Sequence, residues 1–268
     1  MVEPTAGWPS RVSVVGAGAM GRALAAGLVR GHRGLADRLV LADAVPAALE
    51  AALADVGARP ASVEEAAAAE LVCVAVKPKD AADALPGIAR AMAPGAVLLS
   101  VIAGWDLDRL AAAAPGAGLA RTMPNLAVRH GAGVVALATR GLDPGREAEL
   151  TAFLRPLGAV VPLPEGLFAP ATALAGSGPG LLALVAEGLE EGAVAAGLAR
   201  PQARELTAAV LAGTAALLAD GTDPAVVRQR VSSPAGATIA GLAVLERGAV
   251  RAHIADAVLA AARRAAEL

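Results

Sequence analysis

Tyrosine is absent from this 268-residue chain, and phenylalanine and tryptophan occur only twice each. Apolar content is nonetheless 56%, so the interior must be built from aliphatic side chains and alanine. A single cysteine, Cys73, rules out an internal disulfide. It lies in the apolar run Leu-Val-Cys-Val-Ala-Val and reads as a small core residue, which fits a reducing cytoplasm. The net charge of −2 is spread without an acidic or basic block, so no nucleic-acid surface is expected. No unbroken apolar run reaches the roughly 18 residues of a membrane span. The start, MVEPTAGWPSR, lacks the basic and apolar parts of a secretory signal. Lysine occurs only at positions 77 and 79, and histidine only three times. The length allows one large or two ordinary domains.

What is present begins with a short β-branched run, Val-Ser-Val-Val, closed by Gly16. Gly16, Gly18 and Gly21, with Ala19 and Met20 between them, give G-x-G-x-x-G between a strand and a helix. In that setting the first glycine makes the tight turn, the second admits a pyrophosphate to the backbone, and the third lets helix pack on strand. The helix should run to Gly31, a C-cap candidate. A second strand, 39–42, ends in Asp43. That acid stands where a carboxylate accepts hydrogen bonds from an adenosine ribose; equally it reads as a turn or cap residue before Pro46. No arginine follows it directly, which leans toward NADH over NADPH. Ser62 should cap a helix through Ala69. The run 71–76 reads as a buried parallel strand and ends in Lys77-Pro78-Lys79, either a cofactor-side edge or a solvated turn. Further strands are expected at 96–102, 119–122, 134–138 and 159–161, with small residues Ala103 and Gly104 after the first of these. Asp106 should cap one helix, and another should span 144–154. The alternation predicts an α/β, Rossmann-type, doubly wound and mostly parallel sheet.

After Pro162 strand patterns stop and helical ones take over at 178–196, 201–219, 224–230 and in two more helices to the end. A boundary near 165 gives a dinucleotide-binding domain over 1–164 and an all-α domain over 165–268. About 100 alanine-rich residues are marginal as an isolated domain, so their apolar faces should be buried against another subunit. Within this domain Val231 to Glu246 reads Val-Ser-Ser-Pro-Ala-Gly-Ala-Thr and then a regular apolar helix. It is either a Ser-Pro turn with an ordinary cap or an anion pocket at a helix N-terminus with one hydroxyl in it.

Six segments together resemble the Δ1-pyrroline-5-carboxylate reductase family. They are GAGAMG at 16–21, AVKP at 75–78, IAG at 102–104, RTMPN at 121–125, GSGP at 176–179 and SSPAGAT at 232–238. They follow the family's order over nearly the whole chain, and the last two are far more specific than the glycine turn. The resemblance implies a Rossmann domain, a helical dimerisation domain and NADPH or NADH as hydride donor, with no metal. It also implies a cytoplasmic enzyme forming at least a homodimer, with assemblies up to a decamer of dimers. By position it implies that Gly16 to Gly21 cradle the pyrophosphate and that Ser62 lies near the adenosine ribose. Ala75, Val76, Lys77, Pro78 and Ala103 would line the nicotinamide side. Glu165 would lie near the substrate, and Ser233, Gly236, Ala237 and Thr238 would hold its carboxylate; Arg230 stands at a family position close to the substrate, where an arginine either strengthens carboxylate binding or marks a changed substrate. The Thr238 hydroxyl suits the imine nitrogen and is the catalytic candidate. The chain departs from the family pattern at four places. Ala235 replaces a glycine, which alanine tolerates if φ there is negative. Leu181 replaces an aromatic residue, Arg230 an asparagine, and Ala169 an acid.

A protonated cyclic imine is already electrophilic, so the protein needs mainly to hold the carboxylate, aim the carbon and exclude water. This agrees with histidines that look structural: His32 after a helix, His130 in a turn, His253 inside the last helix. β-Hydroxyacid dehydrogenases pair similar domains but use a lysine of the second domain, and no lysine follows Lys79. A reductase of another cyclic imine carboxylate, or a nucleotide-binding regulator with the same fold, are the other readings.

Overall fold

The computed structural model describes residues 8–267. Its first unit is organised on an eight-stranded sheet. The strands are β1 (Val12–Val15), β2 (Leu39–Ala42), β3 (Arg59–Pro60), β4 (Leu71–Val74), β5 (Val97–Ser100), β6 (Gly118–Pro124), β7 (Gly133–Arg140) and β8 (Gly158–Pro162). Their order is β3-β2-β1-β4-β5-β6-β7-β8, parallel except between β6 and β7. The direction of winding reverses between β1 and β4, which creates the crevice at the strands' carboxyl ends where such sheets bind ligands.

The central strands β1, β4 and β5 are buried along their whole length. Their side chains alternate between two cores, as the period of two requires. Leu71, Cys73, Val97 and Leu99 enter the core on one face, whereas Val72, Val74 and Leu98 enter the core on the other. Helices α1 (Ala19–Gly31), α2 (Pro46–Val56) and α6 (Pro144–Leu154) supply the first core, for instance through Leu24, Leu28 and Phe153. Helices α3 (Val63–Ala67), α4 (Ala81–Ala91) and α5 (Leu107–Ala113) supply the second, through Ala66, Leu85, Ile88 and Leu110. Each fully buried leucine or isoleucine contributes about 1.5–3 kcal/mol. Cys73 is wholly buried, and burial pushes its thiol up to about 12, so it is an inert packing group.

Several boundaries differ from expectation for local reasons. The run 71–76 is strand only to Val74, because the chain then turns toward the crevice. The helix expected to reach Ala69 ends at Ala67, although Ser62 caps it by accepting a hydrogen bond from the Glu65 N–H. Gly31 is not the C-cap but the last helical residue; His32 follows in an extended conformation. A Cβ at Gly31 would lie 2.2 Å from the Pro156 side chain, so close packing is what demands glycine there. The His32 ring stacks on Phe153 at 4.4 Å and its Nε2 bonds the Phe153 carbonyl oxygen. Burial holds its pKa below the usual histidine value, the ordinary state of a structural imidazole.

The chain divides into compact units at Gly176/Ser177, and 261–267 return to the first unit. The expected division at 164/165 thus lies twelve residues earlier. The reason is that α7 (Phe168–Ala171) and the π-helical turn Thr172–Gly176 pack into the first unit, where Phe168 and Ala173 are fully buried. The second unit holds α8 (Gly178–Ala195), α9 (Arg200–Ala219), α10 (Pro224–Arg230), α11 (Ala237–Arg247) and most of α12 (Val250–Ala266). α8 and α9 pack on one another. Yet only Ala203 and Thr207 are buried among residues 177–260. Leu184 is 68% exposed, Val244 59%, Val210 58% and Leu259 55%, so large apolar side chains are left on the surface of four different helices. By length and composition alone, the continuous helical stretch Glu165–Ala195 would suffice to cross a membrane.

Candidate active site

The glycine turn has the form that a dinucleotide needs, and each glycine has a distinct reason. Gly16 adopts φ 103°, and a Cβ there would lie 2.6 Å from the Ala75 carbonyl. A Cβ on Gly21 would lie 1.8 Å from the Gly16 carbonyl oxygen. These two are required by the protein itself. Gly18 is different: nothing lies within 4 Å of a Cβ built there. It is exposed and forms the N-cap of α1 without a side-chain cap, so the first N–H groups of α1, from Ala19 and Met20, face open space. An uncapped helix start beside an empty glycine cradle fits a pyrophosphate. Ala75 and Val76 lie against this turn, and the Ala75 N–H donates to the Val15 carbonyl at 2.7 Å. Lys77 and Pro78 follow at the exposed rim.

Asp43 sits where β2 ends and takes the turn role directly. Its Oδ2 accepts from the Ala17 N–H at 2.5 Å and its Oδ1 from the Val45 N–H at 2.7 Å. It therefore braces the glycine turn against the end of β2. Ser62 likewise spends its oxygen as a helix cap, leaving its hydroxyl proton for another acceptor.

A cavity of about 220 Å³ opens at the carboxyl ends of β5 and β6, lined by Ala103, Gly104, Arg121, Met123, Glu165 and Phe168 among others. Glu165 Oε1 accepts from the Leu107 N–H at 2.7 Å and from Arg121 Nη1 at 2.9 Å. The Arg121 guanidinium lies 4.6 Å above the Phe168 ring, and its Nε is buried without a partner. Glu165 is thus an anchored, half-buried ion-pair member facing a cavity on the first unit. Sequence reasoning placed it near the substrate and missed Arg121 as its partner, although Arg121 opens the RTMPN segment. It also missed Asn125, whose side chain donates to the Ala175 carbonyl at 2.9 Å and accepts from the Ala127 N–H. That bond ties the end of β6 to the π-helical turn preceding GSGP. No periodicity signals a π turn; the adjoining Gly-Ser-Gly-Pro is its only mark.

In the second unit, Asp223 caps α10 by accepting from the Ala225 N–H, and α10 ends at Arg230. Ser232 then donates to the Arg228 carbonyl, and the Gly236 N–H donates to the Ser233 carbonyl at 3.0 Å. Gly236 becomes the N-cap of α11. A Cβ at Gly236 would lie 2.4 Å from Ser233 Oγ and 3.0 Å from the Ser233 carbonyl oxygen, so a side chain there would crowd the turn. Because Gly236 has no side chain to cap α11, the N–H groups of Ala237 and Thr238 are left free for a ligand. Thr238 is exposed, and its hydroxyl makes no hydrogen bond among the described residues. Arg230 is exposed too, with no ion pair among them. Its neighbour Arg228 instead pairs with Glu246 at 3.7 Å, and Glu246 also pairs with Arg251.

Ala235 corrects an expectation. Its φ is +55°, not negative, so alanine sits in the left-handed region that the family's glycine would occupy freely. The cost is about 1–2 kcal/mol, partly offset by the lower entropy of unfolded alanine. Ala235→Gly is therefore expected to raise stability by about 1 kcal/mol, read as a higher denaturant midpoint with unchanged slope; a lowered midpoint would show that the turn is unstrained.

Known proteins resemble the chain along nearly its whole length. Residues 165–268 match the family described as pyrroline-5-carboxylate reductase dimerisation. Residues 11–104 match one described as NADP oxidoreductase coenzyme F420-dependent. The pyrroline-5-carboxylate reductase of Thermus thermophilus is 40% identical over 96% of this chain and 98% of its own. That of Mycobacterium leprae is 34% identical over 97% of both. A pyrroline-5-carboxylate reductase structure from Coxiella burnetii superposes with a TM-score of 0.87 at 25% identity, covering 97% of this chain and 98% of that one. The Plasmodium falciparum pyrroline carboxylate reductase with NADP bound has a TM-score of 0.85 at 22% identity, covering 98% of both, and speaks for the fold alone. With a glycine cradle in the first unit, an uncapped SPAGAT helix start in the second, and relatives of this identity along the whole chain, the protein belongs to the pyrroline-5-carboxylate reductase family.

Proposed function

We propose that the chain reduces Δ1-pyrroline-5-carboxylate to proline, the closing step of proline synthesis, with NADH or NADPH as reductant. The observation that carries this reading is the start of α11: an uncapped helix N-terminus with an exposed, unbonded Thr238 hydroxyl one residue inside it. The bound nicotinamide supplies the hydride. The residues of the chain bind, aim and shield. Gly18 and the first amides of α1 receive the pyrophosphate; Ala75, Val76, Lys77, Pro78 and Ala103 border the nicotinamide. The N–H groups of Ala237 and Thr238 hold the carboxylate, with a helix-terminus contribution of about 0.3–1 kcal/mol. Gly236 contributes shape rather than a donor, since its N–H is already bonded to Ser233. The Thr238 hydroxyl accepts from the iminium N–H and steadies the ring nitrogen as its charge is lost. Oxidation of the reduced cofactor on addition of pyrroline-5-carboxylate tests the reading.

Arg230 adds an exposed cation at the end of α10, immediately before the Ser-Ser-Pro turn. It strengthens capture of the carboxylate and is the feature by which another cyclic imine carboxylate would be selected. Arg230→Ala is expected to raise the substrate KM about tenfold with kcat unchanged, the signature of uniform binding; an unchanged KM would place the side chain outside the site.

The exposed leucines and valines of the second unit find their cover in a second copy, so the working form is at least a homodimer. The same cover accounts for the apolar stretch Glu165–Ala195 without a membrane. Assemblies of such dimers, up to a decamer of dimers, and a cytoplasmic location complete the reading.

A further inference from the structure

We infer that Arg121 and Glu165 are positioning residues for hydride transfer: their ion pair fixes the loop 103–106 against the sheet and touches neither reactant. The inference rests on the reading above, in which Ala103 borders the nicotinamide. Arg121 stands in β6 beside Ser100, the last residue of β5, so it lies where the chain leaves the sheet for that loop. Its Nη1 donates to Glu165 Oε1 at 2.9 Å, and the same oxygen accepts from the Leu107 N–H at 2.7 Å. That amide is the first of α5. One carboxylate oxygen thus ties the far end of the loop to β6. The rest of the loop is held from α5 itself: Arg109 Nη1 donates to the Gly104 carbonyl at 2.8 Å, and Asp106 accepts from the Arg109 N–H.

Both arginines also lie on aromatic rings, Arg109 at 4.3 Å from the Trp105 centroid and Arg121 at 4.6 Å from that of Phe168. The chain has only two tryptophans and two phenylalanines, and one of each stands at this loop. A ring under each guanidinium restricts its rotamers, and the Arg121 and Glu165 side chains are only 13% and 26% exposed, so their bond is weakly screened. An apolar pair of similar volume would hold the fold as well. What the charged pair alone supplies is a directional bond on Leu107, beside a cavity that Ala103 and Gly104 also line. A nicotinamide bordered by this loop takes its place from it, and a displacement of about 1 Å costs about 100-fold in rate.

The test compares the full-length wild type with Arg121→Met, Arg121→Lys, Glu165→Gln and the Arg121→Met/Glu165→Gln double variant. Protein loaded with NADH is mixed with saturating pyrroline-5-carboxylate, and a single turnover of nicotinamide oxidation is followed. The amplitude counts folded protein, whereas the rate constant reads the hydride step. Glutamine keeps an acceptor for Leu107 but loses the charge that fixes it to Arg121. Arg121→Met and Glu165→Gln are each expected to lower the rate constant at least about tenfold, the double variant no further, and Arg121→Lys less. NADH affinity and substrate KM should stay within about twofold of wild type. A pair that only stabilises the fold would lower the amplitude and spare the rate constant; a direct substrate contact would raise KM. Either result overturns the inference. Hydrogen–deuterium exchange over 103–107, with NADH bound and no substrate, should be at least about threefold faster in Arg121→Met and, more mildly, in Arg121→Lys. Unchanged exchange would show that the pair does not hold the loop and would equally overturn the inference. This arm needs no turnover, so an inactive wild type would refute the proposed reaction and leave the exchange to decide the role of the pair.

Discussion

Gly18→Ala is expected to leave the protein folded and to weaken reduced-cofactor binding at least about 30-fold, whereas Gly21→Ala, three residues on, is expected to prevent folding. Gly18 has an ordinary φ of −67° and open space around its missing side chain. A methyl group there strains nothing in the protein and costs only what it takes from a ligand resting on the backbone. At Gly21 the same methyl would stand 1.8 Å from the Gly16 carbonyl oxygen and 3.2 Å from the Ala75 Cβ. Neither neighbour is a flexible side chain, so α1 would have to leave the edge of β1 and β4. A clash of that kind exceeds about 4 kcal/mol, most of the 5–15 kcal/mol that holds a typical domain together. Circular dichroism melting separates the two variants, and fluorescence titration with NADH completes the comparison. A Gly18→Ala protein that binds like the wild type would place the nucleotide elsewhere.

Thr238→Ala is expected to lower kcat about 100-fold or more while shifting stability by less than about 0.5 kcal/mol. The hydroxyl holds nothing in the protein: it is exposed, and the turn before it is closed by Gly236, Ser233 and Ser232 instead. Alanine is also the better helix former at this position. Activity and stability therefore part company at Thr238, which an N-cap or core threonine would not allow. Thr238→Ser, which restores the hydroxyl, should recover most of the rate. Equal kcat in the wild type and Thr238→Ala would reduce Thr238 to a surface residue of α11.

Much of the first unit was legible in the sequence. VSVV, LVLA and the glycine turn carry strong local signals, and all three fall where the spacing put them. The helix 144–154 was legible to the residue, because Asp143 and Pro144 mark its start. The antiparallel β7 was not, since a strand's pattern of burial does not encode its direction. The place where the first unit ends was also hidden: Phe168 and Ala173 look like the opening of the helical domain, and only packing assigns them to the sheet. Motifs singled out Gly16, Asp43, Glu165 and Thr238, but not what each of them touches in the fold. Long-range partners such as Arg121 with Glu165, or Asn125 with Ala175, are 44 and 50 residues apart and leave no periodic trace. The sign of φ at Ala235 was similarly out of reach, because alanine gives no warning of a left-handed turn.

The account stands or falls on one assay: reduced-cofactor oxidation by the purified protein, followed at 340 nm with pyrroline-5-carboxylate as the only added substrate, and proline identified as the product. Saturable turnover with stoichiometric proline, lost in Thr238→Ala, is the result expected. Tight cofactor binding with no oxidation and no proline would contradict it, and would make the protein a nucleotide-binding relative that has kept the cradle and lost the reaction.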